Sequence, residues 1–465
     1  MSNDPRAPFH GRQRELRLLA EEYAKRGASL VPVYGRRRVG KSELLRRFCA
    51  DKPTVFFEAA RHASTPQQVQ GLLAAAAIGL DRPRLAEAHG IADWRTALRE
   101  VTAAAPEKSR PVLVLDELQW AAEADPTLPS VLKQLWDTEW QRRGQWMVIL
   151  CGSYLGFMER EILGARAALH GRRTAQLMLA PLDHLEAAAF FPGWSTEERA
   201  RAYFLCGGIP YHLQLLADCA SVTDGIIRLF LAFEAVLQRE PDFLLRDELR
   251  NLPAYGAILH ALAHGAHRPT DIARATGAST AELDHYLKTL VQLRYLARQT
   301  PLSPQAPNRR AVRYVVADSL LRFHFRFLTR AAPAAALADP AHLYAAFVAP
   351  DIDAYWGLCF EDLCREATAR LLIAERVALP HAVGRFWSPT AEFDVVALRG
   401  DHRIDLGECK WGPAGRAATW AKSLRERSSR FPSGSYSLGY RLFTRTALRS
   451  VPAGVTAHSL ASLYG

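Results

Sequence analysis

What this chain lacks narrows it first. No stretch of its 465 residues reaches the ~18 consecutive apolar residues that span a bilayer. Its opening, Met1-Ser2-Asn3-Asp4-Pro5-Arg6, has no apolar core of the kind that directs secretion. The expectation is a cytoplasmic protein with no membrane partner. The seven cysteines show no C-x-x-C spacing, which argues against a zinc site. Cys49, Cys151 and Cys206 lie in or beside apolar runs and read as reduced thiols packed as small hydrophobes. Internal repeats are missing as well. Acidic residues are outnumbered, 48 against 59 basic ones, giving a net charge of +11. That excess suits a polyanionic partner such as DNA without requiring one, because an arginine-rich composition produces the same number with no binding at all. The length exceeds what one hydrophobic core usually supports, so two or three domains are expected.

The most informative stretch is Gly35-Arg36-Arg37-Arg38-Val39-Gly40-Lys41-Ser42, set between the apolar run Leu30-Val31-Pro32-Val33-Tyr34 and the helical pattern Glu43-Leu44-Leu45-Arg46-Arg47-Phe48. Strand, glycine-bearing loop and helix in this order form a phosphate-binding loop. The glycines let the backbone wrap an anion, and the helix points its amide-rich N-terminus at it. Lys41 would reach the β and γ phosphates of ATP, and the Ser42 hydroxyl would ligate Mg²⁺. Downstream, Pro111-Val112-Leu113-Val114-Leu115-Asp116-Glu117 is an apolar strand ending in two carboxylates. In a parallel sheet that end faces the phosphate loop, so Asp116 can hold the Mg²⁺ hydration shell while Glu117 polarises the attacking water. A further strand, Trp146 to Cys151, ends at Gly152-Ser153, where Ser153 could sense the γ-phosphate. A fifth, Thr174 to Leu179, follows Gly171-Arg172-Arg173. Either arginine could stabilise the transferring phosphoryl group, in cis or across a homo-oligomer interface, or simply belong to a solvated basic turn. Cys206-Gly207-Gly208-Ile209-Pro210 reads as a lid over the nucleotide or as a plain interhelical turn. The nucleotide-binding set is therefore Gly35, Arg36, Arg37, Arg38, Val39, Gly40, Lys41, Ser42 and Glu43, with Asp116, Ser153 and Pro210; Lys41, Glu117 and Arg172 are the catalytic candidates.

Between Leu244 and Arg313 the pattern is a helix-turn-helix with a wing. Ile258, Leu259 and Leu262 mark one helix, Thr270 to Ala275 a second, and Leu283, Leu287 and Leu290 a third. The wing pairs Tyr295-Leu296-Ala297-Arg298 with Arg313-Tyr314-Val315-Val316 through Pro301 to Arg310. Direct DNA reading is left open, since the third helix exposes only His285, Lys288 and Gln292. In the C-terminal segment, Glu361 falls on a helix with Phe360 and Leu363. Asp394 begins the strand Val395-Val396-Ala397-Leu398, and Glu408 and Lys410 share a face of the next strand, Ile404 to Lys410. This order is what a Mg²⁺-dependent phosphodiesterase needs. Asp394 and Glu408 would ligate the metal, Glu361 would support it, and Lys410 would orient and deprotonate the water or stabilise the phosphorane.

With both constellations placed, the chain resembles the archaeal-type ATPases of the STAND class, related to the AAA+ proteins. The likeness rests on Phe9-x-Gly11-Arg12 with Glu15-Leu16, Val33 through Ser42, Leu115 through Trp120, Cys151-Gly152-Ser153 and Gly208-Ile209-Pro210. It implies an α/β P-loop NTPase fold, a parallel sheet with an additional strand between the phosphate-loop strand and the Asp-Glu strand, followed by a helical lid and a winged helix. Many members end in a domain resembling the PD-(D/E)xK (restriction-endonuclease-like) nucleases, matched here by Phe360-Glu361, Glu392-Phe393-Asp394 and Gly407 through Trp411, with Phe393 where the namesake motif has proline. The expected divisions are residues 1–182 for the ATPase core, 183–240 for the lid, 241–316 for the winged helix and 317–465 for the nuclease-like domain. The expected function is an ATP-binding and hydrolysing switch coupled to a Mg²⁺-dependent nuclease-like module on DNA. The alternative is an ATP-regulated DNA-binding regulator whose nuclease-like domain is a non-catalytic platform.

Overall fold

The computed structural model describes residues 9–88, 90–106, 109–305, 311–413 and 415–465. The opening hexapeptide and part of the Pro301–Arg310 wing connection lie outside the described residues. The chain forms two compact units, Met1–Leu182 with Ile209–Tyr211, and Asp183–Gly208 with His212–Gly465.

In the first unit, β1 (Ser29–Tyr34), β2 (Thr54–Glu58), β3 (Val112–Asp116), β4 (Met147–Gly152) and β5 (Leu177–Met178) make one parallel sheet in the order β2-β3-β4-β1-β5. Every residue of β1, β3 and β4 is buried, as continuous apolar runs covered on both faces should be. Alternation along the strands feeds two separate cores. Leu30, Leu113, Leu115, Val148 and Leu150 pack with Trp94, Trp140 and Trp146, while Val31, Val33, Val112, Val114 and Ile149 pack with Leu19, Leu44 and Leu45. The position of β4 between β1 and β3 is the additional strand that the resemblance implied. The run Thr174–Leu179 reads as a full strand in sequence, yet only two residues are paired as β5. At its ends the Thr174 and Leu179 amides still donate to the Leu30 and Tyr34 carbonyls. Because all strands run in one direction, Tyr34, Glu58, Asp116 and Gly152 end at one edge of the sheet.

In the second unit the helices Leu252–Ala263, Pro269–Thr276 and Thr280–Gln292 precede an antiparallel pair, β6 (Leu296–Gln299) and β7 (Arg313–Val316). Ser279 and Glu282 cap the third helix reciprocally, and Leu283, Leu287 and Leu290 are buried at the expected spacing. Beyond it, β8 (Pro380–Trp387), β9 (Glu392–Arg399), β10 (Arg403–Lys410), β11 (Ser437–Thr444) and β12 (Thr456–Ser459) form a sheet in the order β12-β11-β10-β9-β8. β8 to β10 are antiparallel, whereas β10, β11 and β12 are parallel. The helix Ala417–Ser428 is the crossover between β10 and β11, and its Ala421 and Leu424 enter the core with Val396, Ile404, Leu406 and Leu442. The 23-residue helix Ile352–Ala374 packs against β8, β9 and β10. The wing meets the edge strand β8 and its neighbour β9: the Leu302 amide donates to the Arg385 carbonyl of β8 at 2.8 Å, and Arg313 pairs with Glu392 of β9 at 2.8 Å.

His324 gives the second unit a pH dependence. Burial pushes its imidazole down to about 4, with Asp242 offsetting part of the shift, and its Nδ1 has no partner. The unfolded chain then binds more protons than the fold between about pH 6.5 and 4, so stability is present above that window and is lost as pH falls through it. Thermal unfolding should show the native protein losing about 2 kcal/mol between pH 7 and pH 5 relative to His324→Phe, which has no proton to take up there. Parallel acid limbs in the two proteins would contradict this.

Candidate functional site

The phosphate loop is held by backbone geometry that its glycines permit. Gly40 sits at φ 87, and a Cβ on Gly35 would lie 2.4 Å from the Leu179 carbonyl oxygen. Lys41 is 5% exposed, and its ammonium donates to the Gly35 and Arg36 carbonyls at 3.0 and 2.9 Å, so the loop curls around its own cation. Arg12 fixes the loop from behind: its buried guanidinium donates to the Val39 carbonyl at 2.9 Å and meets Glu15 at 3.1 Å. Val39 itself is fully buried. On the other side, the Arg38 guanidinium lies 4.4 Å from the Tyr211 ring centroid, and the Pro210 ring is the nearest neighbour a Cβ on Gly40 would meet. Pro210 is thus beside the loop. Arg37 faces the Trp120 ring at 5.9 Å, Arg36 is half-buried, and Glu43 is exposed in the first turn of the helix Lys41–Cys49.

The acidic side of the site comes from β3. Asp116 is fully buried and accepts from the Ser42 hydroxyl at 2.6 Å. Glu117 occupies the left-handed region at φ 50, which breaks the strand and turns its side chain at the sheet edge. Its carboxylate accepts from the Ser153 hydroxyl at 2.6 Å and from the Gln119 amide, and Gln119 also donates to Ser153 at 3.0 Å. Burial, followed by Asp116, raises the Glu58 carboxyl above its ordinary range, and Arg46 offsets part of this. Glu58, Asp116 and Glu117 thus share this edge with Lys41. Gln119 and Arg12 acquire their roles only in three dimensions.

The structure does not bring Arg172 to this edge. Thr174 pairs with Leu30 near the start of β1, so Arg172 lies towards the opposite end of the sheet, in a bidentate ion pair with Asp137 at 2.7 and 2.9 Å. A residue that precedes a parallel strand enters at the end away from the phosphate loop. Arg173 donates to the Leu163 carbonyl.

The C-terminal carboxylates are brought together. Asp394 accepts from the Cys409 amide at 2.8 Å, while Glu408 lies between Lys410 at 2.7 Å and Arg427 at 2.6 Å. Glu361 is 3.7 Å from Arg365 and 3.8 Å from Arg385. Burial and then Asp394 push Glu361 up to about 7, and burial and then Glu408 raise Asp394. Burial opposes the charge on Lys410, but the Glu408 hydrogen bond and nearby carboxylates outweigh it and raise its pKa. Among the described residues no three His, Cys, Asp or Glu side chains are grouped so as to hold a metal ion. The arginines interleaved with these acids come from β8 and from two helices far apart in sequence, and no local pattern announces them.

Comparison with known proteins follows this division. Residues 9–216 match the ATPase domain predominantly from Archaea, residues 256–300 the IclR helix-turn-helix domain, and residues 324–421 a family of archaeal and bacterial proteins of unknown function. Over 414 residues the chain is 25% identical to an uncharacterized protein of Methanocaldococcus jannaschii, a match covering 87% of each chain. A Walker-type ATPase of Pyrococcus abyssi shares the fold at a TM-score of 0.54 and 20% identity, over 69% of this chain and 97% of that one. The ORC2 protein of Aeropyrum pernix aligns at a TM-score of 0.41 and 16% identity, over 73% and 98%. The chain carries an archaeal-type ATPase domain on an α/β P-loop ATPase-like fold, with a helix-turn-helix module in its second unit.

Proposed function

We propose that this protein binds and hydrolyses ATP as a switch, and that its C-terminal module is a Mg²⁺-dependent nuclease-like element acting on DNA. The observation that carries the first half is the Ser42–Asp116 hydrogen bond with Glu117 one residue further along the same edge. The hydroxyl and the carboxylate are the pair of oxygens that would hold Mg²⁺, which when bound supplies charge stabilisation across the β and γ phosphates. Lys41 exchanges its two carbonyl partners for phosphate oxygens. Glu117, released from Ser153, orients the attacking water, and Ser153 becomes free to report the γ-phosphate.

In the C-terminal module, Asp394 and Glu408 are the residues that would hold a divalent cation. Desolvation and then the charge of Glu408 raise Asp394, which supports this fit, since a cation offsets both. Lys410 would orient the water. DNA would be met through charge on the phosphate backbone more than through base reading, because on the third helix Lys288 is tied to Asp284 at 2.6 Å. One observation favours a second reading: Arg427, Arg385 and Arg365 already neutralise these acids, as they would in a DNA-binding regulator whose nuclease-like domain is only a platform. Incubating the purified protein with plasmid and single-stranded DNA, Mg²⁺ or Mn²⁺, with and without ATP, tests both halves. Phosphate release with nicking is expected. Salt-dependent, ATP-dependent binding without nicking would select the platform, and no phosphate release would end the ATPase reading.

A further inference from the structure

The second unit holds a cavity of about 200 Å³ that borders the C-terminal acidic cluster at Glu361, Arg365 and Arg385 but is not lined by Asp394, Glu408 or Lys410. It opens between the helix-turn-helix and the long helix Ile352–Ala374, and every residue lining it falls between Leu262 and Arg385. Four guanidinium groups converge on it from three elements: Arg322 and Arg326 one helical turn apart, Arg365 on the long helix and Arg385 on β8. Two carboxylates of the lining, Glu361 and Asp362, answer them, leaving a formal +2. Asp362 is committed, binding Arg322 at 2.7 Å and Arg365 at 2.5 Å. The Nε–H groups of Arg322 and Arg385 are buried with no acceptor, and Gln299 offers a buried Oε1 with no donor. The remaining wall is largely aliphatic, from Leu262, Val315 and Val316 to Leu358, which is left 57% exposed.

These features specify a ligand. Unmet guanidinium donors in a net-positive wall call for a dianion, and a phosphoryl group presents acceptors in the planar forked geometry that arginine prefers. The aliphatic wall calls for an apolar body, and the idle Gln299 acceptor calls for an N–H such as the exocyclic amine of adenine or cytosine. The volume lies below the ~300–1,000 Å³ that usually encloses a whole drug-sized molecule, so the ligand is compact or is held by one end.

We propose that this cavity binds a nucleoside monophosphate, taken either as the free nucleotide or as the 5′-phosphorylated terminal nucleotide of a strand. The site is separate from the phosphate loop, and it shares Glu361, Arg365 and Arg385 with the C-terminal acidic cluster. Its occupant would bridge the wing and the long helix, and would sit beside Glu361.

The test uses the full chain carrying Lys41→Ala, so that the phosphate loop contributes no binding. Calorimetric titration compares AMP, CMP, inorganic phosphate, and short oligonucleotides with a 5′-phosphate or a 5′-hydroxyl. One saturable site for a nucleoside monophosphate is expected, with inorganic phosphate at least tenfold weaker. Arg326→Gln, which touches only the Ala263 carbonyl, should weaken binding at least tenfold. Ala354→Trp, at an exposed position of the lining, should block the mouth and abolish binding while the ligand-free melting temperature stays unchanged. Retention of the free nucleotide alone identifies a metabolite ligand, and binding of the 5′-phosphorylated but not the 5′-hydroxyl oligonucleotide identifies a strand end. Absence of saturable binding, inorganic phosphate binding as tightly as the nucleotides, or affinity untouched by both variants would overturn the proposal.

Discussion

Glu117→Gln should lower ATP turnover by about 10² to 10³-fold while leaving nucleotide affinity within a few-fold of the native protein. The side chain is the one carboxylate at the sheet edge that is neither tied to Ser42 nor held at the end of β2, and its left-handed backbone aims it away from the strand. An amide keeps the size and one acceptor for Ser153, so the loop and the Ser42–Asp116 pair should survive. What is lost is the negative charge that draws a proton from water. Phosphate release under saturating ATP, alongside equilibrium titration with a fluorescent nucleotide, separates the two effects. Turnover within tenfold of native would move water activation to another group, of which Glu58 is the nearest candidate.

Asp394→Asn should remove Mg²⁺-dependent nicking, by at least 10²-fold, and at the same time leave the protein as stable as before or more so. The opposite signs follow from one cause. Asp394 is half-buried near Glu408 and Glu361, and desolvation followed by Glu408 disfavours its charged form. Neutralising it therefore relieves repulsion, and an asparagine oxygen can still accept the Cys409 amide. Nicking assays and melting curves on the same preparation would read both. A variant that loses activity only because it melts lower would assign Asp394 a structural role instead.

How much of this was legible beforehand depended on how local each feature is. The phosphate loop, the Asp116-Glu117 strand end and the third helix of the helix-turn-helix were readable because each is carried by contiguous residues with a fixed period. The pairing of β6 with β7 was readable for the same reason. β8, β11 and β12 were not: β8 starts at Pro380 and carries Gly384, β11 carries Gly439, and β12 is only four residues long. Arg172 shows a different gap. Its charge and its neighbour strand were visible, but which end of the sheet it entered was a matter of topology. The arginines around Glu361, Asp394 and Glu408 were invisible, since residues 365, 385 and 427 meet only after folding.

The docking of the wing on β8 has a consequence for the border of the C-terminal sheet. An edge strand offers unpaired amides and carbonyls to any other chain that can add to it. Here the Leu302 amide takes the Arg385 carbonyl, and Arg313 holds the wing to Glu392 on the neighbouring strand β9. The helix-turn-helix thereby acts as a stopper on an adhesive border. A fragment beginning after β7 would bare that border and should self-associate along β8 more than the full chain does.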